Sequence, residues 1–305
     1  MEIRGNFSSG LIGRNRNQEK TLSLARLLHL TGVILFLGSV GNLRADTLAY
    51  GAAQIDQTHS AFGVLDLNTG GFSQIAILPD SVYDLATSSN GTLYALYTPF
   101  TPNGSTFFST AEFATINPST GAVTNIASDS AARLDTLAFG GDGTLYGLSL
   151  NKSGSESLYS INPTTGAMSS ITALSGAISS WANGAMNIRF IGNTAYTTTA
   201  TDTSGLYTFS LTNGVPTSIG DTGLDMPNSL GADVNGQLVD IAAVGAGYQV
   251  FWINPATGAA TSGATVDNSY VFASEPTPEP GSAILMGCGV VALCALRRRR
   301  ACKGI

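Results

Sequence analysis

The sequence predicts an all-β fold, a five-bladed β-propeller with four-stranded antiparallel blades. Three observations predict it. An eleven-residue phrase recurs, as INPSTGAVTNI from Ile116, INPTTGAMSSI from Ile161 and INPATGAATSG from Ile253. Weaker copies start at Leu65 (LDLNTGGFSQI) and Ser210 (SLTNGVPTSI). Their shared glycines, Gly70, Gly121, Gly166, Gly214 and Gly258, are 51, 45, 48 and 44 residues apart. A period in the forties is a mark of propeller blades. Second, each of the last four phrases is preceded by another turn signal between apolar runs: Asn90-Gly91, Asp142-Gly143, Asn193 and Asn235-Gly236. Third, the first repeat lacks its opening strand, and a spare strand, SYVFA, follows the last phrase at Ser269–Ala273.

The phrase itself is a hairpin. An apolar strand ends at Ile161, Asn162 caps the turn with its side chain, and Pro163 presets φ for the next position. Gly166 supplies the left-handed residue that reverses the chain. With the preceding hairpin this gives four strands per repeat, a to d, which is one blade. Strand a is LAT from Leu85, LAF from Leu137, IRF from Ile188 and LGADV from Leu230. In the first repeat Thr47–Ala52 matches strand b, so the strand at Ser269–Ala273 is expected beside it. Such closure removes two exposed sheet edges. The span 46–274 then divides into five blades of about 46 residues.

The chain begins with a polar, basic segment and an apolar run of fourteen, Leu27–Val40. That run is short for a membrane span and suits a signal-peptide core, with cleavage expected near 41–45. The body that follows is rich in Gly, Ser, Thr, Asn and Ala. From Asp46 to Pro280 it carries 18 acids against 3 bases, a net charge of −15. Such a surface repels nucleic acid and anionic membranes. All three cysteines (Cys288, Cys294 and Cys302) lie in the tail, so the body has neither a disulfide framework nor thiolate chemistry.

The tail is a sequence of three parts. Glu275–Pro280 (EPTPEP) is a stiff linker, and Gly281–Leu296 is apolar and uncharged. Arg297, Arg298, Arg299 and Arg300 then stop transfer. Sixteen helical residues span about 24 Å, short of the roughly 30 Å bilayer core, and arginine stems can snorkel to offset this. Pro278, Glu279 and Pro280, followed by the short span and the arginines, resemble the PEP-CTERM sorting signal. The resemblance covers about 28 residues. It implies a Gram-negative, exopolysaccharide-making host and recognition by an exosortase, with Pro278, Glu279 and Pro280 as the recognition motif. It also implies removal of the tail, leaving a protein anchored only transiently before it reaches the cell surface or extracellular space. The body in turn resembles exported bacterial propellers with LYxINPxTG-type repeats. That resemblance implies a fold, and a fold does not fix a function.

Signatures of catalysis are scarce. The body holds one histidine, His59, in an expected loop. There is no GxSxG elbow, no His/Cys cluster at metal-ligand spacing, no P-loop and no GxGxxG, and no cofactor is expected. The Asp233–Gly236 stretch starts like a calcium loop but lacks the rest of the ligand series, and reads as a hairpin turn. Trp252 reads as packing.

Antiparallel order places the tight a–b and c–d turns on one face and the longer b–c and d–a connections on the other. Binding residues concentrate on loops held by a rigid scaffold. The irregular face is expected to carry Arg133, Lys152 and Trp181, with Asp84, Asp135, Asn187 and Asn228 near the channel mouth. A tryptophan beside carboxylates and amides suits a sugar surface. Three functions remain open at this level. One is a non-catalytic surface or matrix protein that binds exopolysaccharide or another protein. The others are a glycan-cleaving enzyme using Asp84 and Asp135 as paired carboxylates, and a purely structural propeller.

Overall fold

In the computed structural model the described residues are 48–56, 59–98, 112–128, 133–150, 156–179, 187–199, 204–224, 227–232, 237–268 and 271–276. The expected signal segment, Lys152, Trp181, the turn expected at Asp233–Gly236 and the motif Pro278–Pro280 with its arginines lie outside them. Among the described residues no helix is long and apolar enough to cross a membrane.

Among the described residues twenty strands form five four-stranded sheets. Blade 2 is β4 (Ser81–Thr87), β5 (Leu93–Thr98), β6 (Glu112–Ile116) and β7 (Val123–Ser128). Blade 3 is β8 (Arg133–Phe139), β9 (Leu145–Leu150), β10 (Glu156–Ile161) and β11 (Met168–Ala173). Blade 4 is β12 (Arg189–Ile191), β13 (Thr194–Thr198), β14 (Gly205–Phe209) and β15 (Pro216–Asp221). Blade 5 is β16 (Pro227–Ala232), β17 (Leu238–Val244), β18 (Gly247–Ile253) and β19 (Ala260–Val266). Blade 1 combines β1 (Leu48–Gln54), β2 (Ser60–Asp66) and β3 (Phe72–Leu78) with β20 (Val271–Pro276) from the other end of the body.

The expected closure is therefore present, since β20 pairs antiparallel with β1 through Ala53↔Val271, Ala52↔Phe272 and Gly51↔Ala273. One detail differs from the sequence reading. Glu275 and Pro276 belong to this strand, which runs two residues past the expected boundary at 274, and Pro276 still pairs with Ala49. Proline is tolerated there because the pairing is already interrupted by a register shift and the strand is ending.

Five hydrophobic clusters hold the ring, one at each seam between neighbouring blades. Phe62 of blade 1 meets Leu85, Leu93 and Ile116 of blade 2. Leu96 and Phe113 of blade 2 meet Leu137, Leu145 and Ile161 of blade 3. Leu148 and Leu158 meet Ile188 and Phe209 across the next seam, and Leu206 meets Leu230, Leu238 and Ile253 across the fourth. The closing seam joins Ile241, Val250 and Val266 to Ala49 and Leu65, with Trp252 packed against it as the sequence reading expected. Each large side chain buried this way contributes about 1.5–3 kcal/mol.

The repeated phrase forms the expected turn and does a second job. Asn162 Oδ1 accepts from Thr164 N at 2.9 Å and Thr165 N at 3.2 Å, and Gly166 N donates to Asn162 O at 2.8 Å. Gly166 has φ 69°, and a Cβ there would lie 2.5 Å from Ala127 Cβ of the preceding blade's outer strand. The equivalent Gly70 would meet Thr265 O at 2.0 Å, across the closing seam. So the repeat glycine is fixed both by its left-handed backbone and by the approach of the preceding blade. The isoleucine that ends the phrase is also positional. Ile75, Ile126, Ile171 and Ile219 are each the unmatched residue of a bulge between strands c and d. A bulge on each outer strand, beside exposed polar pairs such as Thr124-Asn125 and Ser169-Ser170, blunts an edge that would otherwise invite pairing with another chain.

Candidate functional site

The innermost strand of a blade has no neighbour on its inner edge, so some of its N–H and C=O groups need other partners. The sequence answers with a polar residue just before the buried apolar anchor of strand a. The anchors are Leu85, Leu137, Ile188 and Leu230, all fully buried. The residues before them are Asp84, Thr136, Asn187 and Ser229, each at most 5% exposed.

Asp84 and Thr136 stitch one blade to the next, whereas the bonds at Asn187 and Ser229 stay within blades 4 and 5. Asp84 Oδ2 accepts from Thr136 Oγ1 at 2.5 Å and from Leu137 N at 2.8 Å. Its Oδ1 accepts from Leu85 N and from Arg189 Nη2, both at 2.8 Å. Thr136 Oγ1 in turn accepts from Ile188 N at 3.3 Å. Asn187 Oδ1 accepts from Thr198 Oγ1 at 3.2 Å and Thr198 N at 3.4 Å. Asp240 Oδ1 accepts from Ser229 N at 3.3 Å.

Arg189 completes the arrangement from the carbonyl side. Its guanidinium donates to Leu85 O and Ile188 O, both at 3.2 Å, and to Leu137 O. Those three carbonyls belong to the equivalent anchor residues of blades 2, 3 and 4. The guanidinium thus lies among three innermost strands, paired with Asp84 in an ion pair whose side chains are 4% and 7% exposed. A planar fork of five donors matches this geometry where a lysine would not.

This placement changes the meaning of several candidate residues. Asp84 is no open carboxylate at a channel mouth, because both its oxygens are occupied by backbone, threonine and arginine. Asp135 is not its counterpart either. The β8–β9 register skips from Leu134↔Ser149 to Thr136↔Leu148, so Asp135 is a bulge residue and Thr136 takes the position equivalent to Asp84. The two aspartates therefore occupy different positions in their blades. Asn187 is buried and faces Thr198. Arg133 lies in β8 and Asn228 in β16, while Trp181 is outside the described residues. His59 sits 3.1 Å from Asp56 Oδ1 in an exposed pair.

A second polar cluster was not among the candidates. It lies on blade 2, away from the inner strand. Tyr97 of β5 pairs with Glu112 of β6 across the sheet. Asn125 Nδ2 of β7 donates to Glu112 Oε2 at 2.7 Å. Burial, the hydrogen bond to Glu112, and the charges of Glu112 and Asp80 together push the Tyr97 phenol well above its ordinary range.

No family model matches the chain, and no characterised relative matches it. Among solved structures it is similar to TolB from Acinetobacter baumannii, with 17% identity over 74% of this chain and 54% of that one (TM-score 0.47). The chain thus spans about half of that TolB's length. A nidogen/laminin complex is similar at 14% identity over 73% of this chain and 82% of that one (TM-score 0.47). A protein from Lactobacillus plantarum follows at 14% identity, 74% coverage of both chains and a TM-score of 0.43. Likenesses this distant bear on the fold alone, so the site rests on the residues of this chain.

Proposed function

We propose that the chain is an exported, exosortase-sorted propeller that acts at the cell surface or in the extracellular matrix as a non-catalytic binder of polysaccharide or protein. The observation that carries the sorting is the fixed order of Pro278-Glu279-Pro280, the uncharged apolar span and the four arginines. The acidic, cysteine-free body between an export-type N-terminal run and this tail suits an extracytoplasmic protein. The occupied state of Asp84 supports a non-catalytic reading. Glycoside hydrolysis needs two available carboxylates about 5–9.5 Å apart, and Asp84 was one of the two candidates.

Sorting is tested on protein recovered from its own cells. Intact mass is expected to show loss of everything after about Pro280. A mature chain that keeps Arg297–Arg300 would make the tail an ordinary anchor.

Binding is tested on the irregular face. Trp181→Ala is expected to weaken retention on immobilised exopolysaccharide about tenfold with folding intact. Thr165→Ala, in a c–d turn on the opposite face, should leave retention unchanged. Equal loss in both variants would overturn the choice of face.

A further inference from the structure

Independently of that reading, we infer that the crevice between blades 1 and 2 is a binding site for a primary ammonium group carried on an aliphatic stem. The crevice holds a cavity of about 220 Å³. Its wall is aliphatic, built from Leu78 of blade 1 and Val82, Ala95, Ile116 and Val123 of blade 2. Four of these five belong to the buried cluster at that seam and the fifth packs against it, so the cavity opens onto the core of the ring. Its polar edge is Asp80, Tyr97 and Asn125.

The hydrogen bonds behind that edge decide what it can recognise. Glu112 takes a proton donor from each of two lining residues: the Tyr97 hydroxyl and Asn125 Nδ2, the latter at 2.7 Å. The carboxylate also fixes the Asn125 amide, because the flipped amide would set two acceptors against each other. Once these donors are committed to Glu112, the phenol oxygen and the amide oxygen are left as acceptors, and the Asp80 carboxylate adds negative charge beside them. At neutral pH the phenol is neutral, as any tyrosine is, so it can donate to Glu112. Among the described residues no lysine or arginine lines the cavity. A negative, acceptor-bearing edge beside an aliphatic wall complements a cationic donor on a hydrocarbon stem and repels anions such as uronates.

Size narrows the ligand further. Pockets for drug-sized ligands run to about 300–1,000 Å³. A cavity of about 220 Å³ holds one side chain or fragment and excludes an oligosaccharide.

The site also departs from the repeat. Register places Ala53, Tyr97, Ser149, Thr199 and Ala242 at equivalent positions of strand b. Their partners on strand c are Ala61, Glu112, Ser157, Gly205 and Gln249. Blade 2 alone carries a phenol and a carboxylate where the other blades have small or neutral residues. Folding the ring does not require that pair, since four blades form without it.

The probe is Nα-acetyl-lysine methylamide, titrated calorimetrically into the full-length protein in a neutral detergent. Its norleucine counterpart keeps the stem and lacks the ammonium. The lysine derivative is expected to bind and the norleucine derivative to bind at least tenfold more weakly. Asp80→Asn and Glu112→Gln should each weaken the lysine derivative about tenfold, with thermal unfolding close to that of the parent. Asp80→Asn keeps the test decisive if Glu112→Gln perturbs folding. n-Butylammonium binding as tightly as the lysine derivative would assign the site to free small amines, whereas tighter binding of the lysine derivative would assign it to a peptide side chain. Equal binding of the norleucine derivative, absence of binding by either amine, or unchanged affinity in both variants would overturn the site.

Discussion

The axis of the ring and the crevice between blades 1 and 2 use the same chemistry to opposite ends. Both place carboxylates among aliphatic side chains. At the axis, Asp84 meets backbone N–H groups that no neighbouring strand can reach, together with a guanidinium gathered from blade 4. In the crevice the backbone is already paired across β5, β6 and β7, so Glu112 takes its donors from side chains instead. A buried acid is structural where unpaired backbone surrounds it. It is available to shape a binding edge where the ladder is complete. This is why the channel-mouth aspartate proved to be part of the scaffold while the crevice, formed by ordinary strand positions, keeps acceptors facing a cavity.

The largest test of this contrast is at the axis. Arg189→Met leaves Asp84 buried without its cation and three carbonyls without a donor, and Asp84→Asn leaves the guanidinium without its counter-ion. Breaking a buried pair from one side costs about 3–5 kcal/mol, and each variant is expected to fall in that range by denaturant unfolding. The double variant should lose less than the sum, because the same interaction is removed twice. Glu112→Gln, at a half-buried site with its backbone paired, is expected to stay within about 1 kcal/mol of the parent. Comparable losses at Arg189 and Glu112 would erase the distinction between the two regions.

Much of the ring was legible in the sequence because its signals are local. The glycine spacing, the Asn–Pro turn and the Asn-Gly and Asp-Gly hairpins each act within a few residues, and the closing strand followed from counting. The inner residues were harder. Asp84 and Asp135 look alike because each stands near a Leu-Ala pair, but one residue more separates Asp135 from Leu137 than separates Asp84 from Leu85. Aligning on the Leu-Ala pairs sets Thr136 against Asp84. Arg189 offered no such handle, since its partners Asp84, Leu85 and Leu137 are 105, 104 and 52 residues away. The Tyr97–Glu112 pair is visible when the b and c strands are laid over one another, where it breaks a pattern of small or neutral residues. Both residues sit at strand ends and not on the loops, where binding residues concentrate, so loop composition carries no sign of them.

The smallest expected effect sharpens the crevice side of the comparison. Tyr97 has a folded-state pKa raised above the ordinary tyrosine value of about 10, first by burial and then by Glu112 and Asp80. Below pH 10 the phenol is neutral in both folded and unfolded chains, so the stability linked to this group is fully present. As pH rises past about 10 the unfolded chain loses this proton while the folded chain keeps it, and stability falls until the folded pKa is passed. Tyr97→Phe removes one such group and keeps the ring. Tyr50 and Tyr146, also raised by burial, remain in the variant. The parent should therefore lose stability above pH 10, and the variant should lose it less steeply, with the two curves parallel at neutral pH. Denaturant midpoints measured across that range would show it. Identical slopes for parent and variant would mean that Tyr97 titrates freely, and the carboxylates behind it would then not hold the phenol as a neutral donor to Glu112.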